Sequence, residues 1–360
     1  MKITAIPAEH LTAEHVHCWG EIQRSEPALE SPFFRPEFTQ AVAAVRSGVF
    51  AGIMEEAGKV VGFFPFQRRG WGFSRPVGAP MSDYQGVIVR PETCWTPAEL
   101  MHGCGLRGWD FDHLLAQQEP LRAYHRTLGE SPYMELAYGF EQYVEDRRLD
   151  GSMNVNDTLR KLRKAERELG PVRLEAQVRE DQVDRVFETL RQWKSAQYRE
   201  TGITDLFAFE WPVRLLKRIL CEQSDGFAGM LSALYFGDRL AAVHLGMRSY
   251  GVLHCWFPAY DRELGKYSPG MALIIELARA SASLRLRRID LGKGTAEWKV
   301  SLKSGAVPLA EGCCSSSTVV RLARGGMSHA KAWARTSRFG APVRALARRT
   351  RTLRASFRFQ

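Results

Sequence analysis

Nothing in the 360 residues approaches the ~20 consecutive apolar residues that a membrane-spanning helix needs. The start, Met1-Lys2-Ile3-Thr4-Ala5-Ile6, reads as a first strand, not as the charged-then-apolar leader of a secreted chain. A cytoplasmic protein is expected. Metal-ligand spacing is missing too. Seven cysteines, an odd number, fall at 18, 94, 104, 221, 255, 313 and 314, and the adjacent Cys313-Cys314 pair suits neither an ordinary disulfide nor a zinc knuckle. The pattern argues for reduced thiols and no metal. One stretch lacks acid altogether. From Arg321 to Gln360 there are 11 Lys and Arg and no Asp or Glu, which leaves 39 of the 50 basic residues against all 40 acidic ones in the first 320. The net charge of +10 belongs to an appendage on a balanced body.

What is present is enough for two cores: 45% of the residues are hydrophobic. Residues 1–150 read as one unit. Helices are expected near 12–24 and over 36–45, a β-hairpin over 49–67 around Ala57-Gly58, a breaker cluster at 75–80, a helix near 97–107 and a short strand at 111–116. A polar junction over 141–153 leads to a second unit, 151–318. Its charged helix ends at Gly170-Pro171, and helices follow near 182–200 and 211–221. Three strands over 228–236, 239–248 and 251–260 are joined by tight turns, and a helix from Pro269 and a short strand at 288–291 complete the plan. The fold class is α/β (α+β): two units in tandem, each a mixed, mostly antiparallel sheet flanked by helices, followed by a basic helical tail at 319–360.

The most specific local feature is the turn Lys266-Tyr267-Ser268-Pro269-Gly270 between the third strand and the long apolar helix. Ser268 is a favoured helix N-cap, Pro269 fits the first helical position, and Gly270 lets a ligand approach the backbone. Free amides of Gly270 and Met271 there would face an anion, with Lys266 adding charge. A second cluster, Asp290-Leu291-Gly292-Lys293-Gly294 with Glu297-Trp298-Lys299, falls at a strand end, where ligand-facing groups collect.

The strings "HCWFPAYDRELGKYSPGMALIIELA" and "IDLGKGTAEWKVSLKSG", with "TLRKLRKAERELG", "ETLRQWKSAQYRETG" and "GAPMSDYQG", resemble the FemAB-like, CelD-like branch of the GNAT acyltransferase superfamily, over about 150–315. The resemblance implies two GNAT-like units in tandem, an acyl-CoA (acetyl-CoA) donor in the second, and an amine or hydroxyl acceptor on a polysaccharide or cell-envelope precursor. The chain departs from many GNAT proteins in having only Gly270 after Lys266 in place of a glycine-rich loop. Fem-type relatives use aminoacyl-tRNA and insert a long helical arm. No such arm is evident, which favours a coenzyme A thioester over that alternative. A non-catalytic accessory protein is the other rival.

On this reading Lys266, Tyr267, Ser268, Gly270 and Met271 hold the donor. Lys299 stabilises an oxyanion, and Asp290 or Glu297 accepts a proton; otherwise Asp290 merely caps the next helix and Lys299 is solvated. His254, beside His244 on the neighbouring strand, is either a general base or a satisfied structural histidine. Asp83 and Tyr84, after the breaker loop, and Gln197, Tyr198, Trp256 and Tyr260 are the acceptor-site candidates, with packing roles as the alternative. The tail, 321–360, suits peripheral contact with the inner membrane face or solvated disorder, and nucleic-acid binding lacks an accompanying motif.

Overall fold

A computed structural model describes residues 1–224 and 226–315; the basic tail expected at 319–360 lies outside the described residues. The first half runs β1 (Lys2–Pro7), α1 (Ala13–Ser25), α2 (Pro36–Ala43), β2 (Val49–Glu56), β3 (Lys59–Arg68), β4 (Phe73–Arg75), β5 (Ile88–Val89), α3 (Pro97–Gly103), β6 (Gly108–Leu115), β7 (His125–Glu135) and α4 (Phe140–Leu149). The second runs α5 (Asn154–Leu169), β8 (Val172–Glu175), α6 (Val183–Thr201), α7 (Glu210–Cys221), β9 (Gln223–Ser224), β10 (Phe227–Phe236), β11 (Arg239–Ser249), β12 (Val252–Tyr260), α8 (Pro269–Arg279), β13 (Arg288–Asp290), α9 (Glu297–Leu302) and β14 (Gly305–Ser315).

The strands form one sheet in the order β1-β2-β3-β4-β6-β14-β7-β13-β12-β11-β10-β8. Within it β4–β6 and β12–β13 pair in parallel, and the other neighbours are antiparallel. The two halves interlock: β14, late in the chain, is seated between β6 and β7, and β7 pairs with β13. β10 reads Phe-Ala-Gly-Met-Leu-Ser-Ala-Leu-Tyr-Phe and is buried along its whole length, as expected of a strand covered on both faces. One cover is shared by both halves. Trp19, Phe33 and Phe38 from the first half pack in one cluster with Phe187, Leu215, Phe227 and Phe257 from the second. Each such ring contributes roughly 1.5–3 kcal/mol on full burial, so the halves are joined by core, not by a linker.

The opposite face is covered by α5 and α8. Val155, Thr158, Leu162 and Ala165 are the buried positions of α5, a helical stripe, with its charged residues outward. Gly170, at φ 104°, ends that helix. Buried Arg35 ties the halves again. It pairs with Glu37 at 2.6 Å and donates to the Tyr250 hydroxyl at 2.9 Å, at the β11–β12 turn.

Candidate active site

The site begins where two parallel strands part. β12 and β13 pair only over Val252↔Arg288, Leu253↔Ile289 and His254↔Asp290, and β12 then continues to Tyr260 paired with β11 alone. Just there the β11–β12 register slips. Leu245 faces Phe257 and Met247 faces His254, so Cys255 and Trp256 together oppose Gly246. An extra residue of this kind bends its strand and re-aims side chains. Gly246 is required at this point, because a Cβ would run into the His254 carbonyl and the His244 ring.

His254 is fully buried. Its Nε2 lies 2.9 Å from Asp83 Oδ2, and its Nδ1 is 3.1 Å from Asp290 Oδ1 in an ionic contact. Burial alone pulls the imidazole pKa down, but the two carboxylates outweigh it and hold it at about 9, so the ring is an imidazolium at neutral pH. Asp290, 4% exposed, accepts from Ser131 Oγ at 2.9 Å, from the Gly292 amide at 2.8 Å and from the Tyr84 hydroxyl. Burial raises its carboxyl, yet the His254 charge and these donors leave it below the ordinary range. The result is a line, Asp290–His254–Asp83, whose inner end is sealed and whose outer carboxylate is partly open, its side chain 26% exposed. Gln85, two residues further on, ties the loop that carries Asp83 to β6. Its Oε1 accepts from the Asp112 and His113 amides at 2.9 and 3.0 Å, and its Nε2 donates to Asp112 Oδ1 at 2.7 Å.

Two ammonium groups share the neighbourhood. Lys299 Nζ donates to the carbonyls of Gly292 at 2.9 Å and Lys293 at 3.1 Å. The Cα of Gly292 lies between it, Asp83 and His254: a Cβ there would sit 3.5 Å from Lys299 Nζ, 3.3 Å from Asp83 Oδ2 and 3.7 Å from His254 Cε1. Lys194, on α6, is 9% exposed, and donates to Gln197 Oε1 at 3.0 Å. Burial, with the Lys299 charge, pulls Lys194 down to about 8; burial also lowers Lys299, against the pull of Asp83. Tyr198 stacks on Phe207 with centroids 6.3 Å apart, and burial with the charges of Asp205 and Asp83 pushes its hydroxyl up. Trp256 donates from Nε1 to the Met81 carbonyl at 3.0 Å and meets Phe33 edge-on at 5.3 Å.

The turn before α8 is built differently from the expected cap. Ser268 adopts φ 52°, ψ 52° and makes no side-chain cap; its Oγ lies 3.1 Å from Lys161 Nζ. The helical ladder starts at the Ala272 amide bonding Ser268 O, so the Gly270 and Met271 amides precede it. The Tyr260 ring lies over Gly270, 3.0 Å from where a Cβ would stand.

A profile of the acetyltransferase (GNAT) domain family matches residues 154–300, the span that contains the β12–β13 mouth, the α8 turn and both lysines. Over those residues the chain is similar to a GNAT-type acetyltransferase domain. A search of curated protein sequences finds no match. Among solved structures, the crystal structure of FemX is similar with a TM-score of 0.55 at 9% identity, over 87% of this chain and 96% of that one. The C-terminal DUF2156 domain of a protein named as a lysylphosphatidylglycerol synthetase from Agrobacterium fabrum is similar with a TM-score of 0.54 at 14% identity, over 87% and 95%. Both likenesses span the two halves, and they show the fold alone: a large, mostly antiparallel sheet flanked by helices.

Against this domain the expected site residues divide. Asp83, His254, Asp290 and Lys299 converge, with Gln197, Tyr198 and Trp256 around them. Several expectations need correction. Tyr84 is 5% exposed and spends its hydroxyl on Asp290, so it supports the site instead of gripping an acceptor. Asp290 is sealed behind His254 and neither caps a helix nor reaches a substrate proton. Glu297 is exposed in the first turn of α9, apart from the line of groups. At the α8 turn, Tyr267 is 1% exposed and donates to Glu168 Oε2 at 2.6 Å, so it supports the turn from within, and Lys266 pairs with the same carboxylate at 3.2 Å at the surface. Tyr260 belongs to the α8 turn and not to the acceptor group. His244, both ring nitrogens unpartnered and its pKa lowered to about 3 by burial and the His254 charge, is a neutral core residue. Lys194, Ser131 and Gln85 were not anticipated. Lys194 lies one residue from Trp193 and three from Gln197 on a helix face already suspect, and that proximity was the available signal.

Proposed function

We propose that the protein transfers an acetyl or longer acyl group from acyl-CoA to an amine or hydroxyl of a polysaccharide or cell-envelope precursor. The observation that carries this reading is the Asp290–His254–Asp83 line, open only at Asp83 and flanked by Lys299, at the mouth between β12 and β13. Asp83 accepts the proton of the attacking amine or hydroxyl. His254, charged and braced by Asp290, aims that carboxylate through Nε2 and keeps its charge balanced. Lys299, with Lys194 behind it, faces the oxyanion that forms when the nucleophile adds to the thioester carbonyl; collapse then breaks the C–S bond and releases the thiolate of CoA. The donor diphosphate lies against the Gly270 and Met271 amides, with Lys161, which pairs with Asp157 at 2.7 Å and reaches Ser268 Oγ, as a nearby cation. Tyr260 swings off Gly270 to admit it. Gln197, Tyr198 and Trp256 flank the acceptor.

The test is calorimetry with acetyl-CoA on the native protein and on Asp83→Asn and Lys299→Ala, together with thiol release in the presence of amino sugars. Asp83→Asn should lower turnover by about 10²- to 10⁴-fold while acetyl-CoA affinity stays within about twofold, and Lys299→Ala should behave likewise. Failure to bind acetyl-CoA, with capture of aminoacyl-tRNA instead, would transfer the assignment to a Fem-type aminoacyl transferase. Binding without loss of turnover in Asp83→Asn would remove Asp83 as the base.

A further inference from the structure

A proton taken up by Asp83 has to leave before a second turnover, and the groups around Asp83 decide the way it goes. The two carboxylate oxygens are not equivalent. Oδ2 faces His254 Nε2 at 2.9 Å, which leaves Oδ1 as the freer oxygen for an incoming proton. Inward, His254 cannot accept. As an imidazolium it carries a proton on each ring nitrogen, with Asp83 beside one and Asp290 beside the other. Outward, Asp83 Oδ1 lies 3.8 Å from His113 Nε2.

His113, on β6, is set up to accept. Its Nδ1 is 3.0 Å from Asp112 Oδ1, and an ionised carboxylate only accepts hydrogen bonds, so the ring proton sits on Nδ1 and Nε2 keeps its lone pair. A carboxylate that fixes one ring nitrogen leaves the other as a base. Gln85 holds both partners. Its Nε2 donates to Asp112 Oδ1 at 2.7 Å, its Oε1 accepts from the His113 amide at 3.0 Å, and its own amide donates to the His113 carbonyl at 3.0 Å. Because Gln85 is two residues from Asp83, these bonds keep the Asp83 loop beside the His113 ring. The charges next along this edge are Lys293, whose Nζ donates to the Asp112 carbonyl at 2.5 Å, and Glu311, which pairs with Lys293 at 2.6 Å. The His113 side chain is 18% exposed where that of His254 is wholly covered, so His113 is the histidine in touch with solvent.

We propose that His113 is the proton relay behind Asp83, relieving it of the acceptor's proton and passing that proton to water. The inference rests on the acyl-transfer reading above. As the amine or hydroxyl adds to the thioester carbon, its proton moves to Asp83 Oδ1. The C–S bond breaks and its electron pair leaves with the CoA sulfur. The proton then moves to His113 Nε2, giving an imidazolium paired with Asp112, and from there to bulk water. Asp83 is again an open carboxylate. At 3.8 Å the step from Asp83 to His113 is longer than a direct hydrogen bond, and one bridging water or a small turn of the carboxylate closes it.

The experiment has two arms. The first needs no substrate: side-chain nitrogen NMR of the native protein, with His113→Gln to assign the signals, reads the tautomer of neutral His113. The proton should be on Nδ1, and a neutral ring protonated on Nε2 would overturn the proposal. The second is thiol release from acetyl-CoA with amino sugars, for the native protein, His113→Ala and Asp112→Asn. His113→Ala should lose about 10²-fold in kcat while KM for acetyl-CoA stays within about twofold and the melting curve is native. Added imidazole should restore part of that loss in proportion to its concentration, and the native protein should not respond to it. Asp112→Asn should lose less than His113→Ala, with the same split between kcat and KM. Native kcat in His113→Ala, or a loss that imidazole leaves untouched, would overturn the relay while the acyl-transfer reading stands. A native protein that neither binds acetyl-CoA nor releases thiol would instead overturn that reading, and the relay with it.

Discussion

Replacing His254 with Asn tests whether an imidazolium really sits between Asp83 and Asp290. The native ring has a pKa of about 9 against an unfolded value near 6.5. Between those two values the folded state binds more protons than the unfolded chain, so stability falls as pH rises through that window. The contribution is fully present below pH ~6.5 and lost above ~9. At about 1.36 kcal/mol per pKa unit it amounts to about 3 kcal/mol. Asn cannot carry the charge, and it leaves Asp290 buried with only its Tyr84, Ser131 and Gly292 donors. Urea unfolding followed by circular dichroism at intervals from pH 6 to 10 gives the native-minus-variant difference, from which the other titrating groups largely cancel. That difference should shrink by about 3 kcal/mol across the series, most steeply between pH 7 and 9, leaving a pH-independent remainder from lost packing. A constant gap, or one that widens with pH, would mean that His254 is neutral and that the charge reading of the site is mistaken.

Lys194 makes the opposite prediction. Its folded pKa is depressed to about 8 from 10.5, so the charged form is disfavoured by folding, and Lys194→Met should raise stability at pH 7 by up to about 3 kcal/mol. That gain should fade as pH rises from 8 to above 10.5 in the same unfolding assay, while turnover drops, as expected where a site holds an unfavourable buried charge for function. A loss of stability at pH 7 would show that the ammonium is satisfied in the fold. Gly246→Ala should cost about 1–3 kcal/mol by overpacking, read by thermal melts, and should lower turnover because it displaces the His254 backbone. Native turnover in that variant would show that the register slip does not position the histidine.

The legible parts of the sequence were those with local periodicity. The hairpin over 49–67, the three-strand meander and the helices at 13–25, 183–201 and 210–221 are local objects whose apolar spacing declares them. Strands β7 and β14 were missed for a shared reason. β7 reads His-Arg-Thr-Leu-Gly-Glu-Ser-Pro-Tyr-Met-Glu and β14 reads Gly-Ala-Val-Pro-Leu-Ala-Glu-Gly-Cys-Cys-Ser, each broken by Pro and Gly. Such residues demote a strand unless tertiary pairing rescues it. Here the rescue is mutual, with Ala306 opposite Pro132 and Pro308 opposite Glu130, and no window of sequence contains both partners. Helix α4 was read as a polar junction because, besides Phe140 at its start, its buried residues are Tyr143 and Arg147, whose partners are the Leu302 and Lys303 carbonyls far along the chain.

The same blindness limited the site. His254, Asp290 and Lys299 could be nominated from one string, and Asp83 from another, but their union depends on β7. That strand pairs Tyr133 with Asp290, and Ser131, two residues earlier, donates to the Asp290 carboxylate. The first half contributes Asp83, Tyr84, Gln85 and Ser131, and the second His254, Asp290, Lys194 and Lys299. Neither half contains a complete line from buried carboxylate to open carboxylate. The interleaving of β7 and β14 therefore does more than stabilise: it fixes the spacing between a carboxylate on one unit and the imidazole on the other. A separation of 2.9 Å between His254 Nε2 and Asp83 Oδ2 could not be maintained by two domains free to rock on a linker.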